Sequence, residues 1–302
     1  MPITYRPGTL ADSRTVFDIF TISLMDFGQR SGVVAITGGN DAEVMASLWL
    51  TRQPMFEHLT NTAEQFWIAE EAAGQAIGYA RSVLRDGCRE LTEFFVLPGR
   101  QSGGVGRELL ARAFSTDGAA HRVIVATTDS RAQALYLKAG VYPRFPVYYF
   151  GRRPEPVNVP TDLTFEPMRE APETFAALRE IDLQIVGHRR DIDHSWLLAD
   201  RTGFLYRRNG TLVGYGYTGT RRGPFALLEA ADQPAALAHA ETHAHSLGLA
   251  EFGVETPLIN TTVVNYLLGR GFQMDSFVAL FMSDQPFGKF ENYILMSPPF
   301  FF

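Results

Sequence analysis

The hydrophobic positions of this chain change period several times, and each change marks an element. Glu90-Leu-Thr-Glu-Phe-Phe-Val96 is dense in β-branched and aromatic residues and predicts a strand. Val105, Leu109 and Ala113 then share one face at a spacing of four, which predicts a helix over 105–114. His121-Arg-Val-Ile-Val-Ala-Thr127 and Tyr142–Phe150 predict two further strands, with a helical stretch between them. Phe17–Phe27 and Met45–Phe56 carry apolar faces at helical spacing. Gly74–Arg81 predicts the inner arm of a hairpin turning at Ala73-Gly74.

Part of this pattern occurs twice. Gly74-Gln-Ala-Ile-Gly-Tyr-Ala-Arg81 has a counterpart in Gly210-Thr-Leu-Val-Gly-Tyr-Gly-Tyr217, after a turn at Asn209-Gly210. Asp129 to Gly140 has a counterpart of equal length in Asn260 to Gly271. Arg152–Pro160 lies between the copies and holds Pro154, Pro156 and Pro160, the composition of a semi-rigid linker. The repeat predicts two domains, 1–150 and 161–302, joined by 151–160. A length of 302 residues suits two ordinary domains, and 46% hydrophobic residues suffice for two cores.

Composition narrows the classes. A net charge of −6 argues against a nucleic-acid partner and favours a cationic acceptor. No apolar run is long enough to cross a membrane. The start, Met1-Pro-Ile-Thr-Tyr-Arg6, does not read as a signal peptide. Cys88 is the single cysteine, which fits a reducing, cytoplasmic setting. Oligomeric state is left open.

Chemistry enters between the first predicted strand and helix. Val96-Leu-Pro-Gly-Arg-Gln-Ser-Gly-Gly-Val-Gly-Arg107 is a loop of small residues leading into a helix. Glycines let backbone approach a ligand closely, and the first N–H groups of a helix lack internal partners. Such a terminus attracts an anion, above all a phosphate. The loop is not Gly-x-Gly-x-x-Gly, and no Gly-Lys-Ser/Thr follows, so neither a Rossmann nor a Walker site fits.

Gln101-x-x-Gly104-x-Gly106 after Val96-Leu-Pro98 resembles the pyrophosphate loop of the GNAT superfamily of N-acetyltransferases. Asp129-Ser-Arg-Ala-Gln-Ala-Leu-Tyr-Leu-Lys-Ala-Gly140 resembles that family's second signature; Ala132, Leu135, Tyr136, Lys138 and Gly140 match in place. Asp129 replaces the usual Asn and Val141 the usual Phe. The resemblance implies an α/β fold of two tandem GNAT-like domains, each a mixed, mostly antiparallel sheet flanked by helices. It implies acetyl-coenzyme A as co-substrate, no metal, and direct acetyl transfer to an amine on a small molecule or peptide. Phe94, Phe95, Val96, Gln101, Ser102, Gly103, Gly104, Val105, Gly106, Arg107 and Asp129 would hold the coenzyme. Backbone N–H groups near Phe95 and Val96 would face the reacting carbonyl, and Tyr136 would be the acid beside the sulfur. A non-catalytic acyl-coenzyme A sensor on the same fold is the competing class.

The base stays open between Glu90, Glu93, a terminal carboxylate and water. Glu90, eleven residues before Gln101, aligns with a strand glutamate of histone-acetylating relatives. Glu93 is expected on the opposite strand face. The tail Ser297-Pro-Pro-Phe-Phe-Phe302 is too apolar to leave in water. It either brings the Phe302 carboxylate to Tyr136 or seals the domain interface. Phe20, Phe27, Trp49 and Phe56 are candidates for an acceptor pocket or for core.

The second copy has lost the chemistry. Glu229-Ala-Ala-Asp-Gln-Pro-Ala-Ala-Leu237 stands where the first copy has its glycines, with Asp232 placed to cap the following helix. Leu267 replaces Tyr136. This half is expected to bind no coenzyme. Gly187-His-Arg-Arg-Asp-Ile-Asp-His194 reads as a charged network rather than a metal site, and His239 and His243 as a solvated helix face.

Overall fold

The structure is a computed structural model describing residues 2–33, 42–72, 74–101 and 103–302. The backbone clusters into two units, 1–142 with 282–285, and 143–281 with 286–302.

The first unit comprises β1 (Thr4–Pro7), α1 (Ser13–Ser31), α2 (Ala42–Asn61), β2 (Gln65–Glu70), β3 (Ala76–Arg85), β4 (Cys88–Val96), α3 (Val105–Ala113), β5 (His121–Ala126) and α4 (Ser130–Lys138). Its strands lie in chain order. The pairs from β1 to β4 are antiparallel, and β4 runs parallel to β5. Val16, Phe17, Leu24 and Phe27 of α1 are buried, as the apolar spacing predicts. The α3 stripe is buried too, through Val105, Leu109 and Ala113.

The β3–β4 register jumps from Ser82↔Leu91 to Arg81↔Glu93, so Thr92 is an extra residue and forms a β-bulge. Opposed residues share a face. The bulge therefore puts Glu93 on the same face as Glu90, correcting the expectation from simple alternation.

The second unit holds β6 (Tyr142–Arg152), β7 (Leu163–Pro167), α5 (Pro172–Ile185), α6 (Asp191–Asp200), β8 (Thr202–Arg208), β9 (Thr211–Thr218), β10 (Phe225–Leu227), α7 (Gln233–Ser246), β11 (Phe252–Pro257), α8 (Thr261–Gly269), β12 (Gln273–Ser283) and β13 (Tyr293–Ile294). The division falls before β6 rather than after 150, because Val147–Arg152 pair with β11. The proline segment belongs to this unit as well: the Val157 amide and carbonyl both bond the Thr242 hydroxyl on α7, each at 3.0 Å.

Asn209 (φ 50°) and Gly210 (φ 80°) form the expected β8–β9 turn. The strand order β13-β10-β9-β8-β7 holds a surprise. Phe225 and Ala226 of β10 pair with Ile294 and Tyr293, and Leu295 donates to the Glu255 carbonyl of β11 at 3.0 Å. Residues 293–295 thus lie between β10 and β11, the strands matching β4 and β5 of the first copy. Side chains secure them. Asn292 Nδ2 donates to the Leu227 and Leu228 carbonyls at 2.8 and 2.7 Å, and Asn260 Nδ2 to the Tyr293 carbonyl at 3.3 Å.

The 187–194 cluster forms a buried network. Asp182 accepts from Arg190 at 3.1 Å and pairs with His194 at 2.7 Å, while Arg190 donates to the Tyr293 hydroxyl at 2.8 Å. Burial alone would raise the Asp182 pKa, but Arg190 and His194 outweigh it and hold the carboxylate below its ordinary range. His188, Asp191 and His194 each have separate partners: the Val186 carbonyl, Arg179 and Asp182.

The apolar tail docks in this unit. Phe300, Phe301 and Phe302 are all buried, and the Phe302 ring packs within 6.0 Å of His188, Phe281, Phe287 and Phe290. Burial, then nearby Arg190, lowers the His188 pKa to about 4. The unfolded chain gains this proton near pH 6.5 and the folded chain only near 4. Stability is therefore full above 6.5 and falls as pH drops through 4. His188→Gln is expected to remove about 3 kcal/mol of pH-dependent stability across that window. Urea unfolding of both proteins at pH 7 and pH 4 measures it; equal pH dependence rules the assignment out.

Candidate functional site

β4 and β5 pair only over Cys88–Glu90 and His121–Val123. Beyond this they diverge, and a cavity of about 580 Å³ opens in the first unit. Its walls include Glu93–Val96, Ile124–Thr127, the glycine loop and the faces of α3 and α4. The residues of both sequence signatures meet here.

The loop is fixed at each end. Gln101 Nε2 donates to the Val96 carbonyl at 2.9 Å, tying the loop to the end of β4. Gly104 is the residue before α3 and has φ 86°, a left-handed conformation that a side chain disfavours. A Cβ on Gly106 would lie 3.1 Å from the Phe94 ring, so α3 packs close to the strand. Gly103 is exposed, and Arg107 is exposed at the cavity rim. Ser102 lies outside the described residues, as does Ala73 of the first hairpin turn.

Strand alternation decides which amides face the gap. Leu97 N–H donates to the Ile77 carbonyl at 2.9 Å, toward β3. By the antiparallel pattern Phe95 N–H also faces β3, while Phe94 and Val96 face the gap. Of the amides near Phe95 and Val96, those of Phe94 and Val96 therefore face the gap.

Tyr136 is buried and lines the cavity, its ring packed edge-on against Phe94 at 6.0 Å. Burial and the nearby Asp129 charge raise its pKa, so the phenol is neutral. Asp129 caps α4, accepting from the Arg131 amide at 2.9 Å. Arg30 and Arg131 side chains reach the same carboxylate at 3.1 and 2.9 Å. Burial would raise its pKa; the hydrogen bonds from Arg131 and Arg30 prevail and lower it.

The two candidate bases separate. Glu93 lines the cavity, whereas Glu90 is buried farther back, where β4 still pairs with β5. Both Glu93 oxygens are engaged: Oε1 accepts from the Tyr79 hydroxyl at 2.9 Å and Oε2 from Arg81 Nε at 2.7 Å. Phe302 sits among the aromatic residues of the second unit, while Tyr136 belongs to the first. Phe27 lines the cavity; Phe20, Trp49 and Phe56 pack with Phe17 and Phe95, Phe56 fully buried and Phe20 and Trp49 half-buried. Arg30, in the last turn of α1, was not singled out by sequence; an arginine there resembles any surface charge.

In the second unit Asp232 stands at the N-cap position of α7, but its side chain makes no capping hydrogen bond. Its carboxylate pairs with Arg208 at 2.7 Å, and a 3-10 turn leads into the helix instead. His239 is not a solvated face: it stacks on Phe165 with ring centroids 4.3 Å apart. Among the described residues no group of three or more His, Cys, Asp or Glu is arranged to hold a metal ion.

Residues 62–141 match the family model described as an acetyltransferase (GNAT) domain. No curated protein matches by sequence. Among solved structures, a candidate acetyltransferase of Pyrococcus horikoshii aligns with TM-score 0.69 and 15% identity, covering 96% of this chain and 92% of that one. A GCN5-related N-acetyltransferase of Sphaerobacter thermophilus gives 0.58 and 14%, covering 95% and 97%. A tandem GNAT protein from the clavulanic acid biosynthesis pathway gives 0.55 and 15%, covering 95% and 100%. At such identities the likeness establishes the fold. Residues 62–141 are thus similar to the acetyltransferase (GNAT) domain family, within a chain that folds like a tandem GNAT protein.

Proposed function

We propose that the first unit binds acetyl-coenzyme A and transfers its acetyl group to an amine. The observation that carries this reading is the divergence of β4 from β5 beneath the glycine loop, with Tyr136 in the cavity wall. The residues fit the coenzyme. Gly104 leaves the N-terminus of α3 open to a diphosphate, and the backbone of Phe94 and Val96 offers polar groups to the pantetheine arm. Acetyl-coenzyme A supplies the activated acyl group.

The amine nitrogen bonds to the carbonyl carbon and the carbon–sulfur bond breaks. The nitrogen's proton leaves to water, and the departing thiolate takes one from the Tyr136 hydroxyl, which water then restores. The cleft-facing strand amides stabilise charge on the carbonyl oxygen. Tyr136, held neutral by burial, donates a hydrogen bond to the sulfur as its charge develops. Glu93 orients Arg81 and Tyr79 rather than serving as base, since both its oxygens are engaged. Thiol release from acetyl-coenzyme A, measured against amine, polyamine, aminoglycoside and peptide panels, tests the reading. Binding without turnover across all panels assigns the chain to acyl-coenzyme A sensing instead.

Gly104→Val is expected to weaken coenzyme A binding by about 10-fold or more, because a β-branched residue resists positive φ and crowds the diphosphate. Calorimetry on the unaltered chain is expected to give one site, since 293–295 occupy the second gap. Two equivalent sites, or normal affinity in the variant, contradict this. Tyr136→Phe is expected to retain coenzyme affinity and lower kcat by about 100-fold or more. An unchanged kcat, with chemistry rate-limiting, returns Tyr136 to a packing role.

A further inference from the structure

The chain carries a net charge of −6, yet the cavity wall is basic. Arg30, Arg107, Arg131 and Lys138 line it, against Glu93 and Asp129. Glu93 is already paired with Arg81, which is buried. Asp129 is the other acidic residue of the wall, and it is shared. Its Oδ2 accepts from Arg131 at 2.9 Å and from Arg30 at 3.1 Å. Asp26, outside the wall, also holds Arg30, so the four cations of the wall meet Asp129 and Asp26 and the mouth of the cavity stays net positive.

Arg30 comes from outside both sequence signatures. It ends α1, where Asp26 one turn earlier also holds it at 2.8 Å. Its guanidinium crosses to the first residue before α4, between two walls of the cavity. An arginine fork matches a phosphate as well as it matches a carboxylate.

We infer that Arg30, with Arg131, binds a phosphate group of the coenzyme, and that Asp129 holds the two guanidiniums in place until the phosphate displaces it. The inference rests on the coenzyme reading above. Asp129 then acts against the ligand: its carboxylate competes for the same cations and repels the incoming charge. This gives a physical role to the position where the family signature has a neutral Asn. An Asn there caps the helix equally well but does not compete for the arginines.

The alternative is that the Arg30–Asp129 pair only clasps α1 to α4. The two roles predict different variant behaviour. If the pair is a clasp, Arg30→Ala and Asp129→Asn break the same contact and act in the same direction. If Asp129 is a phosphate surrogate, they act in opposite directions.

Calorimetric titration of the full chain with coenzyme A, dephospho-coenzyme A and pantetheine decides. Arg30→Ala is expected to weaken coenzyme A by about 10-fold, while Asp129→Asn leaves it as tight or tightens it a few-fold. Pantetheine, which lacks phosphate, is expected to bind both variants like the unaltered chain. Loss of the Arg30 effect with dephospho-coenzyme A assigns the 3′-phosphate; persistence assigns the diphosphate. Equal weakening of coenzyme A by both variants, or weakening of pantetheine by Arg30→Ala, overturns the inference. So does coenzyme A affinity that ignores Arg30→Ala. No binding of coenzyme A to the unaltered chain overturns the coenzyme reading itself, and this inference with it.

Discussion

The whole site depends on one pairing that stops early. β4 and β5 are hydrogen-bonded through Glu90 and Val123 and then part. A sheet that stayed zipped would have no gap, and Phe94 and Val96 would spend their cleft-facing amides on a neighbouring strand. The Thr92 bulge lies two residues beyond the last paired position, where an extra residue bends the strand and disrupts the ladder. The glycine loop, the start of α3 and the cap of α4 all follow the ends of these two strands. Their placement is a consequence of the divergence.

The two units treat the same gap differently. In the first, Gly104, Phe94, Val96 and Tyr136 surround open space. In the second, Tyr293–Leu295 pair on both sides, with β10 and with β11, and Asn260 and Asn292 bond their surroundings. Loss of the glycines and loss of the tyrosine therefore accompany a third change, the filling of the gap by chain. Backbone groups bordering that gap are satisfied internally, as burial requires.

Local patterns were legible where one short segment determines its own geometry. Gly104 could be read because a positive φ before a helix is a backbone demand that only glycine meets cheaply. The α3 stripe could be read because its period is local. What sequence missed lies in long-range pairing. Simple alternation put Glu93 on the wrong face, since a bulge is a property of two strands, not one. The Pro154–Pro160 segment looked like a boundary, yet Val157 is bonded to α7 and β6 to β11. Asp232 looked like a cap until Arg208, 24 residues away, claimed it. Arg30 gained meaning only when α1 placed it beside Asp129.

The position of β13 also sets an order of events during synthesis. Chains emerge from the N-terminus, so β10 and β11 are both made before residues 293–295 exist. Until those residues arrive, the second unit presents two unsatisfied strand edges around an apolar gap, the kind of surface that pairs with other chains. Its sheet cannot be finished piecemeal, because the strand that completes the middle is the last to be made. A chain cut after β12 would keep every α-helix of the unit and leave the facing edges of β10 and β11 without Tyr293–Leu295 between them.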